Sequence, residues 1–257
     1  MAAVADEREI AGLGTTEDAW IPWLDAQAIA PVDAATLVPA GRRAVVVAPH
    51  PDDEVLAVGG LLAQLAPLER EMLIVAVTDG TASHPGSPEW SAQRLAAERP
   101  LESRRAWDCL GLRIDGPARA MRLGLPDGGL EASSSVLAQT LTALLHPNDV
   151  VFTTWRHDGH PDHEATGRAC ATAAAGAGAR LIEVPVWAWH WAEPGDARLP
   201  WHRASRLALD STANRLKRRA VDAFTSQLLA DPSTGAGPIL RSTTVQRAHR
   251  PFEIFFS

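Results

Sequence analysis

The chain has no tyrosine and only two cysteines among its 257 residues. Cys109 and Cys170, each inside an apparent helix, cannot build a disulfide framework or a cysteine-rich metal site, and both read as core residues. No apolar run is long enough to cross a bilayer, and the first residues, including Asp6, Glu7, Arg8 and Glu9, do not follow a secretory signal pattern. The expectation is a cytoplasmic protein without an integral membrane segment. Positive charge is also scarce. Lys and Arg number 24 against 31 Asp and Glu, a net charge of −7, which removes the global electrostatic case for nucleic acid. The basic cluster Arg215, Lys217, Arg218 and Arg219 reads as a solvated helix face. There is no internal repeat and no stripe that marks a subunit interface, so the oligomeric state stays open, and the length suits one α/β domain.

What is present concentrates in two stretches. Arg43 to Ala48 is a short, continuous, β-branched run, as expected of a strand buried on both faces of a parallel sheet. It stops at Pro49-His50-Pro51-Asp52-Asp53-Glu54, after which Leu56, Val58, Leu61, Leu62 and Leu65 take up helical spacing. A histidine and three acids therefore occupy a strand-to-helix turn, and in open parallel sheets ligands bind at the carboxyl ends of strands. His50 and Asp53 can point at one ion, with Asp52 beside them as a base. Acids in a first turn also cap helices and complement the helix dipole, so this cluster alone leaves metal binding and capping open.

Asp149 to Thr154 reads as another buried strand. It runs into Trp155-Arg156-His157-Asp158-Gly159-His160-Pro161-Asp162-His163-Glu164, followed by an alanine-rich helix from about Ala165 to Ala175. Strand, histidine-rich turn and helix thus occur twice. Two His/Asp turns that face one crevice can assemble three ligands with an open position, the pattern of a catalytic rather than a structural zinc.

His50-Pro51-Asp52-Asp53-Glu54, with His160-Pro161-Asp162-His163 downstream, resembles the PIG-L/LmbE family of zinc-dependent N-acetylglucosaminyl deacetylases. The similarity extends to Arg99-Pro100-Leu101-Glu102, to Leu123-Gly124-Leu125-Pro126-Asp127-Gly128, and to Lys217, Ala220 and Ser226-Gln227, and so spans about Ala44 to Gln227. Where many relatives carry a histidine just before the Ser-Gln pair, this chain has Phe224, so that histidine's role does not transfer.

The resemblance implies a three-layer α/β/α Rossmann-like fold with a mostly parallel sheet. It implies a metal held by His50, Asp53 and His163, Asp52 as general base, and His160 as the group that stabilises the oxyanion or protonates the departing amine. Arg99 and Asp127 become contacts to sugar hydroxyls. The implied cofactor is Zn2+, although two imidazoles and a carboxylate also accept Fe2+. The implied partner is a small N-acetylated amino-sugar substrate, which loses its acetyl group. A metal-dependent amidase acting on a larger acyl group or a thiol conjugate uses the same residues. A non-catalytic carbohydrate-binding protein draws only on the abundant tryptophan.

The remaining chain supplies local expectations. Residues 1–40 form an N-terminal extension that Trp20 and Trp23 pin to the body, and residues 41–257 form a single domain. Met72 to Thr78 reads as a strand ending at Thr78-Asp79-Gly80-Thr81, followed by a Pro/Gly loop in which His84 is exposed. Pro100 should start or kink the helix that carries Arg99 and Glu102. Asp162 can orient a ligand histidine, while His157 and Asp158 fall at the rim. Leu181 to Val186 reads as a strand ending in Trp187-Ala188-Trp189-His190-Trp191, with Trp187 or Trp189 in the pocket. A strand at Arg206 to Asp210, a helix from Ser211 to about Leu229 and an edge strand at Phe252 to Phe256 complete the reading.

Overall fold

Every strand found in the computed structural model, which describes residues 8–257, joins one eight-stranded sheet. In chain order these are β1 (Ala30–Val32), β2 (Arg43–Ala48), β3 (Met72–Thr78), β4 (Ala118–Leu125), β5 (Asp149–Thr154), β6 (Arg180–Val184), β7 (Ala204–Ala208) and β8 (Phe252–Phe256). Their spatial order is β1-β7-β8-β6-β5-β2-β3-β4, and all pairs are parallel except those that β8 makes with β6 and β7. The expectations for Asp6 and Glu7 lie outside the described residues.

The helices are α1 (Glu17–Ala26), α2 (Ala34–Leu37), α3 (Asp53–Leu65), α4 (Ala92–Cys109), α5 (Ser134–Leu144), α6 (Pro161–Ala177), α7 (Ala188–Trp191), α8 (Ser211–Val221), α9 (Thr225–Leu228) and α10 (Ser242–Ala248). Successive side chains of a strand point to opposite faces, so the continuous apolar runs of β2 and β5 need cover on both sides. Val46, Ile74 and Phe152 pack with α3 and α8 on one face, whereas Val45, Val47, Val75 and Val151 pack with α5 and α6 on the other. This is the expected three-layer α/β fold. No helix among the described residues is long and apolar enough to cross a membrane.

Position in the sheet is what assembles the site. β2 and β5 are direct neighbours with Val47 opposite Thr153, so the turns after Ala48 and after Thr154 emerge side by side at one end. At the far edge, β1 pairs with β7 and joins the extension to the sheet. Trp20 is fully buried there, donating from Nε1 to the Trp189 carbonyl at 2.9 Å.

Several local expectations are corrected. β8 is an interior strand, because β7 and β6 pair with both of its edges and Phe255 and Phe256 are buried on both faces. The helix expected up to Leu229 stops at Val221 and resumes as α9, with fully buried Phe224 turning the chain between them. Helix α4 begins at Ala92, well before Pro100, because Ser91 Oγ caps the Arg94 N–H at 3.2 Å and good helix formers follow. Lys217 is no part of a solvated face. Its Nζ is buried and donates to Glu253 Oε1 at 2.6 Å and to the Leu56 carbonyl at 3.0 Å.

Candidate active site

The turn after β2 is held by bonds to its backbone. Thr78 donates from both N and Oγ1 to the Pro49 carbonyl, at 3.1 and 2.9 Å. Arg99 donates from Nη1 to the Gly80 carbonyl at 3.0 Å, and from Nη2 to the Pro51 carbonyl at 2.5 Å and to Asp52 Oδ2 at 3.1 Å. These contacts hold Asp52 at φ +124°, a region that side chains with a Cβ rarely adopt and that clusters at functional sites. Gly80, at φ +66°, adopts a backbone that favours glycine, and a Cβ there would lie 1.8 Å from Arg99 Nη1 and displace the guanidinium.

Three side chains converge behind this turn. His163 is fully buried at the start of α6, and its Nδ1 lies 2.8 Å from Asp158 Oδ2. A carboxylate only accepts, so Nδ1 carries a proton, and Nε2 presents a lone pair when the ring is neutral. That Nε2 is buried and lies 3.2 Å from Asp53 Oδ2, with which it pairs when protonated. His50 Nε2 faces two more carboxylates, Asp127 Oδ1 at 3.1 Å and Asp162 Oδ2 at 3.3 Å, which leaves Nδ1 turned toward Asp53 Oδ2 at 3.1 Å. Ligand atoms of His50, Asp53 and His163 all lie within 4.8 Å of one another. In a tetrahedral site with bonds of about 2.0–2.1 Å, ligand atoms stand about 3.3 Å apart. The donor set and its spacing fit a divalent cation. A second set, His50, Asp127 and Asp162, meets the same distance criterion. There Asp162 already accepts from the Gly128 and Leu130 N–H groups at 2.8 and 3.0 Å, so it orients His50 rather than completing a shell.

Charge on these groups follows the geometry. Burial works against a charged His163, but Asp53 and Asp158 outweigh it and push the imidazole up to about 9. Burial likewise disfavours charge on His50, and hydrogen bonds to Asp127, Asp162 and Asp53 override it, raising it well above the ordinary histidine range. Asp53, buried between the two imidazoles, is held far below the usual carboxylate range by their charge. Asp52 moves the other way, because burial raises it despite the pull of Arg99. His160 is pushed down to about 3 by burial and then by the charges of His163 and His50. Its Nδ1 accepts from the Asp162 N–H at 3.2 Å, so the neutral ring carries its proton on Nε2 and is a donor there.

The cleft in front of these residues has a volume of about 290 Å³ and is bordered by His50, Asp52, Asp53, Asp127, His160 and Trp187. Trp187 stacks on His160 at 6.4 Å between ring centroids. Asp127 is partly engaged, accepting from the Ala82 N–H at 2.6 Å. Arg99 reaches the cleft wall, but its guanidinium bonds to two carbonyls and Asp52, and so holds the turn rather than projecting toward a sugar. Nor does it pair with Glu102, which accepts from Thr225 and Ser226 instead.

Trp189 is not in the cleft. The strand ends at Val184, the tryptophans fall on the single turn α7, and Trp189 packs edge-on against Trp20 at 4.9 Å in an apolar cluster. His84 is half-buried beside Trp90 rather than exposed, and His157 is exposed as expected. Asp158, placed at the rim by sequence, is fully buried and does the most orienting. Besides His163 it accepts from the Val186, Trp187 and Ala188 N–H groups, each at 2.9 Å. No periodicity marks such a residue, because its partners come from a segment 28 to 30 residues away.

Together, fold and site define an α/β protein with a histidine- and carboxylate-lined cleft at the carboxyl ends of its central parallel strands. Residues 45–174 match the PIG-L family model, described as GlcNAc-PI de-N-acetylase, and the chain belongs to that family. A probable N-acetyl-alpha-D-glucosaminyl L-malate deacetylase 2 of Bacillus anthracis is 30% identical over 138 residues, which cover 51% of this chain and 59% of that protein. The chain thus spans less than two thirds of this relative's length. Among solved structures, a conserved protein from Thermus thermophilus is 28% identical with a TM-score of 0.57, covering 84% of this chain and 94% of that one. The zinc-inhibited form of a teicoplanin deacetylase is 21% identical with a TM-score of 0.58, covering 73% and 85%, and this likeness is one of fold.

Proposed function

We propose that the chain is a metal-dependent hydrolase that removes the N-acetyl group from an N-acetylglucosamine-type glycoside. The observation that carries this reading is the convergence of three ligand atoms, His163 Nε2 set 3.2 Å from Asp53 Oδ2 with His50 Nδ1 3.1 Å from the same oxygen, at the back of an open cleft. Family membership and the deacetylase named for the Bacillus anthracis relative support it. Residues 41–257 act in this proposal as one catalytic domain, buttressed by the extension through β1 and Trp20.

His50, Asp53 and His163 would hold the cation, Zn2+ or Fe2+. Bound there, it supplies Lewis acidity toward a carbonyl oxygen and lowers the pKa of water. Asp52, buried beside the ligands with its carboxylate bonded to Arg99 Nη2, takes the proton of the attacking water. Burial keeps its basicity above that of an ordinary carboxylate, which suits a base that must accept a proton near neutral pH. His160, neutral and protonated at Nε2, donates a hydrogen bond to the oxygen that gains negative charge, and the proton that Asp52 has taken from water passes to the departing amine. Asp127 is left one partly occupied carboxylate for sugar hydroxyls, and Trp187 offers a flat apolar wall.

A larger cavity of about 470 Å³ shares Ser83, Trp187 and Ile239 with the catalytic cleft. This favours a substrate that continues beyond the sugar, as an aglycone or a bulkier acyl group. The deciding experiment is acetate release from a panel of N-acetylglucosaminides, with metal-stripped protein reconstituted with zinc or, anaerobically, ferrous iron. Metal-dependent acetate release is expected. One metal bound per chain without acetate from any member would move the reading to a larger acyl group, and failure to bind metal would sink it. Occupancy and rate need separate readings, since a fold neighbour is described in a zinc-inhibited form.

A further inference from the structure

Two residues that border the cleft carry a buried polar atom without a partner, the donor Arg99 Nε and the acceptor Gln227 Oε1, and the second has no part in the chemistry above. Gln227 borders the cleft, is 1% exposed, and its Oε1 makes no hydrogen bond. A buried acceptor left unsatisfied is uncommon in a folded protein and calls for a reason.

The amide's orientation is dictated by the groups behind it. Glu102 accepts three hydrogen bonds. Oε1 takes the Ser226 N–H at 2.7 Å and the Thr225 hydroxyl at 2.8 Å, and Oε2 takes the Ser226 hydroxyl at 2.6 Å. A hydroxyl has one proton, and that of Ser226 is committed to the carboxylate. Ser226 Oγ can therefore only accept from Gln227, at 2.8 Å, so the group facing it must be the amide nitrogen. The carbonyl end is thereby fixed as the unpartnered end. Arg99 is tied by carbonyls and Asp52 through both Nη atoms, with only its Nε left over as a donor, while Asp127 is engaged by Ala82 and His50, and His50 by three carboxylates.

We infer that Gln227 is a specificity-determining residue whose Oε1 accepts a hydrogen bond from a hydroxyl of the substrate's sugar ring, with Glu102 and Ser226 as positioning residues that set the amide. This rests on the deacetylase reading for the nature of the ring. The acceptor has almost no solvent contact, so a ring hydroxyl reaches it only as the wall shifts to admit the sugar. A site that offers a fixed acceptor discriminates against analogues lacking the matching donor.

The test measures binding without turnover. Methyl N-acetylglucosaminide and its 3-, 4- and 6-deoxy analogues are titrated calorimetrically into metal-loaded protein carrying Asp52→Asn, alone and combined with Gln227→Met or Ser226→Ala. Methionine keeps the side chain's length and removes the acceptor. The expected result is a loss of roughly 10- to 100-fold in affinity for one deoxy analogue, the same loss for the parent sugar in Gln227→Met, and no further loss when both changes are combined. Ser226→Ala should give a smaller loss confined to the same hydroxyl. Unchanged melting temperature and metal content would exclude misfolding as the cause. Equal affinities with and without the acceptor, losses that are the same for every analogue, or no sugar binding at all would overturn the inference. Acetate release by the protein with native Asp52 is followed in parallel. Turnover without the coupling condemns the inference alone, and coupling without turnover condemns only the deacetylase reading.

Discussion

Asp52 and Asp53 are adjacent acids with opposite environments. Asp53 lies between two imidazoles that favour its charge, while Asp52 is buried where Arg99 and His50 together do not offset the loss of solvent. Asp52→Asn is therefore expected to leave metal content unchanged while lowering kcat roughly 10²–10⁴-fold. Metal analysis beside the rate checks this, and loss of metal would mean the two aspartates exchange roles. Asp158→Asn is expected to weaken metal binding roughly 10- to 100-fold, because the carboxylate that fixes the His163 Nδ1 proton is gone. A chelator competition titration reads that affinity directly, and unchanged affinity would confine Asp158 to holding α7.

At the scale of elements, the turn after β2 depends on α4. Arg99 projects from that helix to tie together the turns after β2 and β3, through the Pro51 and Gly80 carbonyls. Gly80→Ala is expected to displace the guanidinium, destabilise the fold by more than the roughly 1–2 kcal/mol of an unfavourable left-handed backbone, and lower the rate. Gly86→Ala is the matched comparison. Its φ is +75° but nothing lies within 4 Å of the added Cβ, so it should show the backbone cost without the loss of rate. Thermal melts and acetate release on the pair separate the two effects, and equal behaviour would remove Arg99 from the account.

For the whole molecule, the ligand set links stability to pH. His163 is raised to about 9 in the folded chain from an unfolded value of about 6.5. Its contribution is present in full below pH 6.5 and is lost as pH rises through 9. Metal binding requires the opposite form, the neutral imidazole, and strengthens as that proton leaves. Metal-stripped protein should accordingly melt at lower temperature as pH rises from 6.5 to 9, and the gap between loaded and stripped protein should widen across the same window. Calorimetric melts at several pH values check the sign, and a constant gap would show that His163 is not a ligand.

The sequence by itself determined the central strands, because unbroken β-branched runs at Arg43–Ala48, Met72–Thr78 and Asp149–Thr154 can be stable only where both faces are covered. It also determined the family, since paired His/Asp turns at two strand ends constitute a dense and specific chemical signal. The placement of His50, Asp53 and His163 together was decided by tertiary structure, through the adjacency of β2 and β5 that no local pattern encodes. The same holds for residues that act through distant partners. Asp158 orients His163 while accepting from the Val186 segment, Glu102 orients Gln227 through Ser226, and Lys217 meets Glu253 inside the core. Trp189 shows the converse, since strand-like alternation in Trp187-Ala188-Trp189 gives way to a helical turn once Trp20 supplies a buried partner. Periodicity reports which face of an element is covered, whereas the identity of the covering group is set by contacts far apart in the chain.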